Sequence, residues 1–223
     1  MNITSDALVT DLYELTMAQA YLVQGMTDIA VFEFFVRKLP PQRNFFMAAG
    51  LEQVLSYLED FHFSVADIAW LDQTGGFSQA SLDAFHAMRF TGEVHAMPEG
   101  TLFFPHEPIL RITAPLPQAQ LVETRVMNLL NFQTMVASKA CRSVLVAGDK
   151  PLIDFGLRRA HGAEAGLLAA RAAYLAGLAG TSNVSAGAGF GIPIYGTMAH
   201  SFVQAHVDEA EAFTHIAEAQ PRN

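Results

Sequence analysis

The sequence predicts an α/β fold in which an α+β N-terminal region, residues 1–149, precedes parallel βα units in residues 150–223. In the first part, helical periods are interspersed with short strand-like runs between prolines and glycines. From residue 150 onward, strands and helices alternate at the spacing of βαβ units. The 223 residues are 51% apolar and 16% charged, with a mean hydropathy of +0.24. This composition suits a packed core and excludes a disordered chain.

Several stretches of the N-terminal region have the 3.6-residue periodicity of helices: residues 4–24, 44–61, a short helix after Ser64, and 118–146, the last broken once. Thr10 or Asp11 is a candidate cap for the first helix, and Gly25 stands where a helix should end. Ser64 and Asp67 have the spacing of a capping box, in which each side chain binds the other residue's backbone N–H.

Short apolar runs between turn residues predict strands in the same region. Residues 29–36 are almost continuously apolar, which indicates a buried strand. Three further runs, at 93–97, 101–104 and 109–113, are separated by proline and glycine turns. They predict a small antiparallel sheet.

The C-terminal region predicts three βα units, with strands at 152–156, 182–185 and 192–196 and helices at 164–178 and 200–219. The glycine-rich stretch 187–191 is interpreted as a tight return between strands. A closed α/β barrel needs about eight strands, so three units would leave an apolar sheet edge exposed. We expect either that another chain completes the sheet or that the sequence is a truncated product.

Charge and cysteine content narrow the classes of function. The net charge is −9 and no run of Lys or Arg forms a basic stripe, which disfavours nucleic-acid binding. Cys141 is the single cysteine, which indicates a reducing compartment. The first ten residues lack the basic start of a signal peptide, and apolar stretches fall short of the roughly 18 residues of a membrane span. We therefore expect a soluble, cytoplasmic protein.

Polar residues follow each predicted strand of the C-terminal region, and in α/β folds ligands bind at the carboxyl ends of the strands. These residues are Arg158, Arg159, Ser182, Asn183, Thr197 and His200. A guanidinium, hydroxyls and an imidazole at one sheet edge would suit an anionic substrate.

The arginines and the histidine also have a structural interpretation. For Arg158 or Arg159 the alternative is an ion pair with Asp154 or Glu164. His200 can act as a base, a metal ligand or a nucleophile, or merely cap the following helix. The spacing leaves these alternatives open.

Two other patterns are too incomplete to predict a binding site. His161 with Glu164, and His206 with its acidic neighbours at 208 and 209, lack the His pair and third ligand of a zinc centre, so no metal site is predicted. The segment Gly187–Gly191 resembles a dinucleotide loop but lacks its final spacing and downstream acid.

Six motifs in order resemble the nicotinate phosphoribosyltransferase family over essentially the whole chain: TDLYELTMA from Thr10, FEFF from Phe32, AAGLE from Ala48, DFGLRR from Asp154, GTSNV from Gly180 and GTMAH from Gly196. The resemblance implies an α/β barrel, here incomplete. It also implies synthesis of nicotinate mononucleotide from nicotinate and phosphoribosyl pyrophosphate, coupled to hydrolysis of ATP with Mg²⁺, in NAD biosynthesis.

The resemblance also implies roles for individual residues. His200 matches the histidine that ATP phosphorylates. Tyr13 matches the tyrosine that packs on the pyridine ring, with Phe155 as the opposing aromatic. Arg158 matches an arginine near the base, and Thr197 a residue beside the substrate carboxylate.

Ser182 bears on the choice of substrate, because related nicotinamide enzymes carry an acid at this position. An aspartate there would repel a carboxylate, so serine favours nicotinate.

Family members continue beyond this chain with segments for pyrophosphate and ribose, and their sites form between the subunits of a dimer. We expect a homodimer. Two alternatives remain: a nicotinamide- or quinolinate-using phosphoribosyltransferase, and a non-catalytic or partner-dependent fragment.

Overall fold

A computed structural model describes residues 7–220 of the chain. Helix α1 is Leu12–Val23, with Asp11 at its N-cap position, and Gly25 ends it in the left-handed conformation (φ 67°). The predicted stop at Gly25 is therefore confirmed, whereas Asp11 stands at the N-cap position without making a side-chain capping bond. The predicted helical stretch began earlier, but residues 7–10 form turns and bends, and residues 4–6 lie outside the described range.

The main sheet is antiparallel, with strand order β1-β5-β3. Its strands are β1 (Ile29–Phe34), β3 (Glu93–Ala96) and β5 (Leu110–Pro115). The prediction that the first strand is buried is wrong, because alternate residues face solvent and Ile29 and Val31 are 65% and 59% exposed. An antiparallel sheet covered by helices on one face leaves its other face open.

A second, two-stranded sheet replaces part of a predicted helix. Strand β2 (Phe46–Met47) pairs with β4 (Leu102–Phe103), and the Phe46 and Phe103 rings stack 5.4 Å apart. Helix α2 then begins only at Leu51 and ends at Glu59, so the helix predicted from residue 44 is wrong over its first seven positions. Gly50, with φ at 106°, separates strand from helix.

Helices supply most of the N-terminal core. They are α3 (Val65–Gln73), α4 (Gln79–Ala87), α5 (Leu116–Leu121) and α6 (Glu123–Ala147). The Ser64–Asp67 capping box is present with both bonds, as predicted. The long helix is also confirmed, with its single break at Val122.

Between residues 150 and 220 the chain forms a short parallel sheet and five helical segments. These elements are β6 (Ile153–Asp154), a 3₁₀ turn (Leu157–Arg159), α7 (Ala163–Leu175), β7 (Gly180–Thr181), α8 (Val184–Phe190), α9 (His200–Gln204) and α10 (Glu209–Ala219). Strands β6 and β7 pair in parallel, and Thr181 forms a parallel bridge to Ile194. The parallel βα arrangement predicted from the spacing is confirmed.

Three details of this region differ from the prediction. The strand predicted at 182–185 lies earlier, at Gly180–Thr181, and the strand predicted at 192–196 is only a single bridge at Ile194. The glycine-rich return is helix α8, because Asn183 caps it by accepting a hydrogen bond from Ala186 N. The helix predicted from His200 splits into α9 and α10, since Asp208 starts a new helix by accepting from Glu211 N.

A buried ion pair joins the two regions. Arg171 of α7 donates two hydrogen bonds to Glu99 (2.9 and 2.7 Å) and also pairs with Glu52 of α2. Glu99 in turn accepts from the backbone N–H groups of Gly50 and Leu51 at the start of α2. The division of the chain at residues 149 and 150 stays a prediction. No helix within residues 7–220 is long and apolar enough to cross a membrane.

Candidate functional site

Three chain segments run in parallel and end at one edge of the C-terminal sheet. Ser182 N donates to the carbonyl of Asp154 (2.8 Å), which ties β7 to β6. Thr181 N donates to Pro193 O (3.0 Å), and Tyr195 N donates to Thr181 O (2.9 Å), which ties β7 to the segment after α8. The carboxyl ends of all three segments therefore meet, as a ligand site in an α/β fold requires.

A cleft of about 1080 Å³ opens at this edge, and we call it the strand-end cleft. It is lined by Phe155, Leu157, Arg158, Ser182, Val184, Ile194, Tyr195, Gly196, Thr197, Met198, Ala199 and His200. Five of the eight residues that the sequence analysis singled out are among them, namely Phe155, Arg158, Ser182, Thr197 and His200, whereas Tyr13, Arg159 and Asn183 are not. Residues from three separate βα units are thus brought to one cavity.

Arg158 lies in the 3₁₀ turn after β6 and is exposed to the cleft. The two acids named as its alternative partners, Glu164 and Asp154, are engaged elsewhere. Glu164 pairs with Arg125 (2.5 Å), and Asp154 accepts hydrogen bonds from Thr181 Oγ1 (2.7 Å) and Gly156 N (2.9 Å). Within residues 7–220 no ion pair of Arg158 is recorded, so its fork of N–H donors is open to an anion.

His200 is the first residue of α9 and is exposed. The alternative that it caps this helix is wrong, because Ala199 holds the N-cap position and no side-chain capping bond is present. Between residues 7 and 220 the structure records no hydrogen bond to the His200 imidazole. The imidazole therefore lines the cleft without being held by a hydrogen bond from the described residues.

Tyr13 lies on α1 and is not among the residues that line the strand-end cleft. Its ring is 48% exposed, and its hydroxyl donates to Glu14 Oε1 (3.2 Å). Partial burial raises the pKa of the Tyr13 phenol above its ordinary value of 10.0, and the carboxylates of Glu123 and Glu14 raise it further. The phenol is therefore protonated at neutral pH.

Tyr195 is a cleft residue that the sequence analysis missed. It is 47% exposed beside the strand end, and Gly180 makes room for it, since a Cβ there would lie 2.6 Å from Tyr195 Cε2. The signal was available, because Tyr195 directly precedes Gly196 and Thr197 at the end of a predicted strand. The cleft thus holds a second aromatic ring besides Phe155.

The donor set of the cleft suits an anion rather than a bare metal ion. None of its lining residues is an aspartate or glutamate, whereas Mg²⁺ prefers oxygen ligands with carboxylates among them. Across residues 7–220 no group of three or more His, Cys, Asp or Glu is placed to hold a metal. The lining instead offers a guanidinium, an imidazole, hydroxyls and aromatic rings.

Known protein families match the chain in both its N-terminal and its C-terminal region. Residues 8–131 match the nicotinate phosphoribosyltransferase (NAPRTase) N-terminal domain, and residues 151–220 match the NAPRTase family. The chain is 53% identical to a nicotinate phosphoribosyltransferase of Mycobacterium tuberculosis, over 96% of this chain and 46% of the relative. It is 44% identical to the nicotinate phosphoribosyltransferase of Bacillus subtilis, over 95% of this chain and 44% of the relative.

A solved structure supports the same relationship. The crystal structure of human nicotinic acid phosphoribosyltransferase matches with a TM-score of 0.81 and 40% identity, over 88% of this chain and 40% of the human one. The chain thus spans somewhat less than half the length of each of these three proteins.

Proposed function

This chain belongs to the nicotinate phosphoribosyltransferase family, and from that premise we propose that it takes part in making nicotinate mononucleotide. In the proposed reaction the pyridine nitrogen of nicotinate forms a bond to C1 of phosphoribosyl pyrophosphate, and pyrophosphate leaves. The observation that carries the proposal is the convergence of Phe155, Arg158, Ser182, Thr197 and His200 on the strand-end cleft. We assign substrate binding to the first four.

Nicotinate is flat and anionic, and the cleft suits both properties. The exposed ring of Phe155 offers a stacking face, and aromatic pairs contribute about 0.5–1.5 kcal/mol beyond buried area. Arg158 supplies a cation for a carboxylate or phosphate, and the Thr197 hydroxyl a hydrogen bond to the same carboxylate. Ser182 is neutral, so it does not repel that charge.

Tyr13 is proposed to complete the site from a second copy of the chain. It is half exposed on α1 and does not line the cleft of its own chain. In a homodimer its protonated phenol ring would pack on the pyridine opposite Phe155. The N-terminal region, residues 1–149, would then serve the partner's cleft, and residues 150–223 would form the cleft itself.

His200 is proposed as the catalytic residue that couples ATP to the synthesis. A neutral imidazole nitrogen attacks the γ-phosphorus of ATP, forming an N–P bond while the bond to the ADP oxygen breaks. Water later cleaves the phosphohistidine and releases phosphate. The exposed, unengaged imidazole supports this role. Because the cleft lining has no carboxylate, Mg²⁺ would enter bound to the ATP phosphates.

The proposed setting is the cytoplasm, which the free thiol of Cys141 supports. There are two alternatives to this proposal. The first is a non-catalytic or partner-dependent fragment, and the second is an enzyme that uses nicotinamide or quinolinate.

The decisive experiment measures nicotinate mononucleotide formed by the purified chain from nicotinate, phosphoribosyl pyrophosphate and Mg-ATP. We expect turnover that His200→Ala abolishes and that His161→Ala, an exposed histidine outside the cleft, leaves intact. Turnover that survives in His200→Ala rejects the phosphohistidine, and a wild-type chain without turnover favours the fragment alternative.

The same assay with nicotinamide and quinolinate tests substrate choice. We expect wild-type preference for nicotinate, and a gain in nicotinamide use by Ser182→Asp because the acid can accept a bond from the amide. Equal use of nicotinamide by both chains contradicts the role of Ser182.

A further inference from the structure

Phe155 stands at the middle of a turn that a side chain closes. The Asp154 carboxylate accepts a hydrogen bond from Gly156 N through Oδ1 (2.9 Å), two residues along its own chain. Such a bond fixes the backbone of the residue it spans. The direction in which Phe155 enters the strand-end cleft therefore depends on Asp154.

Ser182 stands in an equivalent turn on the neighbouring strand. Thr181 Oγ1 accepts from Asn183 N (3.0 Å), again two residues along. Thr181 and Asn183 are 0% and 2% exposed, so water does not compete for these atoms. The placement of Ser182 depends on the Thr181 hydroxyl.

One hydrogen bond links the two turns. Thr181 Oγ1 donates to Asp154 Oδ2 (2.7 Å) and also accepts from Asn183 N, while the other carboxylate oxygen, Asp154 Oδ1, accepts from Gly156 N. A hydrogen bond from a hydroxyl to a carboxylate is among the stronger hydrogen bonds in proteins. Because the Thr181 hydroxyl both donates and accepts, removing it frees Asn183 N and breaks the side-chain link between the two turns, so that only the backbone bond from Ser182 N to Asp154 O still joins them.

We propose that Asp154 and Thr181 are positioning residues, whose bond sets the spacing of Phe155 and Ser182 and thereby the affinity of the cleft for nicotinate. This inference rests on the proposed function. Neither side chain lines the cleft, so both act through the residues that they place.

The test compares Thr181→Val, which is close in shape but has no hydroxyl, with Thr181→Ser, which keeps it. Thr134→Val is the matched control, because Thr134 is 1% exposed, accepts from Ala49 N (3.3 Å), donates to Ala49 O (3.2 Å) and does not line the cleft. We expect Thr181→Val to raise the KM, or the Kd by calorimetry, for nicotinate about tenfold. Thr181→Ser and Thr134→Val should stay within about twofold of wild type.

Amide hydrogen exchange gives a readout that needs no substrate. The Gly156 and Asn183 amides should exchange faster in Thr181→Val and unchanged in Thr134→Val. Unchanged exchange at both amides, or Thr181→Val and Thr181→Ser binding nicotinate alike, overturns the positioning role. A wild-type chain that neither binds nor converts nicotinate rejects the proposed function instead, and the exchange result then decides on the linked turns alone.

Discussion

The N-terminal core and the strand-end cleft place their aromatic rings in opposite environments. Tyr57, Phe61, Phe63 and Phe85 are at most 1% exposed and contact one another ring to ring, with centroids 5.4–5.8 Å apart. Phe155 and Tyr195, in contrast, are more than 40% exposed. Apolar burial stabilises the first region, whereas backbone hydrogen bonds and close glycine contacts hold the second. Substitutions in the two regions should therefore affect different properties.

The largest expected effect is the difference in unfolding free energy between Phe85→Ala and Phe155→Ala. Phe85→Ala empties a fully buried site and should lower the free energy of unfolding by about 3–5 kcal/mol. Phe155→Ala removes an exposed ring and should change it by only about 0.5 kcal/mol while weakening nicotinate binding. Urea denaturation of both variants beside calorimetric titration with nicotinate measures both quantities. A strongly destabilised Phe155→Ala would place that ring in the core and break the comparison.

An intermediate effect tests the glycine contacts behind the cleft. In α8, a Cβ on Gly187 would lie 2.3 Å from Ile194 Cγ2, whereas a Cβ on Gly189 would meet nothing within 4 Å. Gly187→Ala should therefore destabilise the chain by about 1–3 kcal/mol through overpacking. Gly189→Ala should stabilise it by about 0.5–1 kcal/mol, as alanine does in a helix. Similar melting temperatures for the two variants would show that α8 does not pack closely on this segment.

The smallest effect concerns pH and the N-terminal region. Glu14 is buried and accepts from Thr10 Oγ1 (2.6 Å) and Thr124 Oγ1 (2.7 Å); burial raises its pKa above the ordinary value of 4.5. Between the unfolded and folded pKa values the folded chain binds more protons, so the free energy of unfolding falls as pH rises through this window. Denaturation of wild type and Glu14→Gln from about pH 5 to about pH 7 should show a steeper decline in wild type.

A second buried acid acts in a different pH range, so it does not obscure this result. Burial alone would raise the pKa of Glu99, but the bonded and cationic Arg171 holds it below 4.5. Its stabilising contribution is therefore complete above that value and lost as pH falls through the lower folded pKa. Parallel pH curves for wild type and Glu14→Gln would contradict the assignment to Glu14.

The sequence predicted long elements well and short ones poorly. The helix broken at Val122 carries many turns of periodicity, and the Ser64 capping box has a local signature. Strands of two residues, such as Phe46–Met47, have no period to detect. Helix α8 contains two glycines and disagrees with intrinsic propensity; the Asn183 cap and the close contact of Gly187 with Ile194 favour it instead.

The candidate site was predictable where it depended on topology. Residues that follow parallel strands meet at one edge, so Arg158, Ser182 and Thr197 could be grouped without a structure. The position of Tyr195 directly before Gly196 and Thr197 would have placed it in the same group, although this position does not say which way its ring points. The roles of Tyr13 and His200 came from resemblance to a family, and spacing alone left them open.

The contacts of Arg171 also bear on how the chain unfolds. Its carboxylate partners lie 72 and 119 residues away in the sequence, and Glu99 caps the start of α2 at the same time. A segment ending at residue 149 would keep Glu99 but lose the guanidinium that neutralises it, leaving the carboxylate with only the backbone N–H groups of Gly50 and Leu51 as partners. Helices α2 and α7 should therefore open together as one cooperative unit. We therefore expect the unit of unfolding to extend across the predicted boundary between residues 149 and 150.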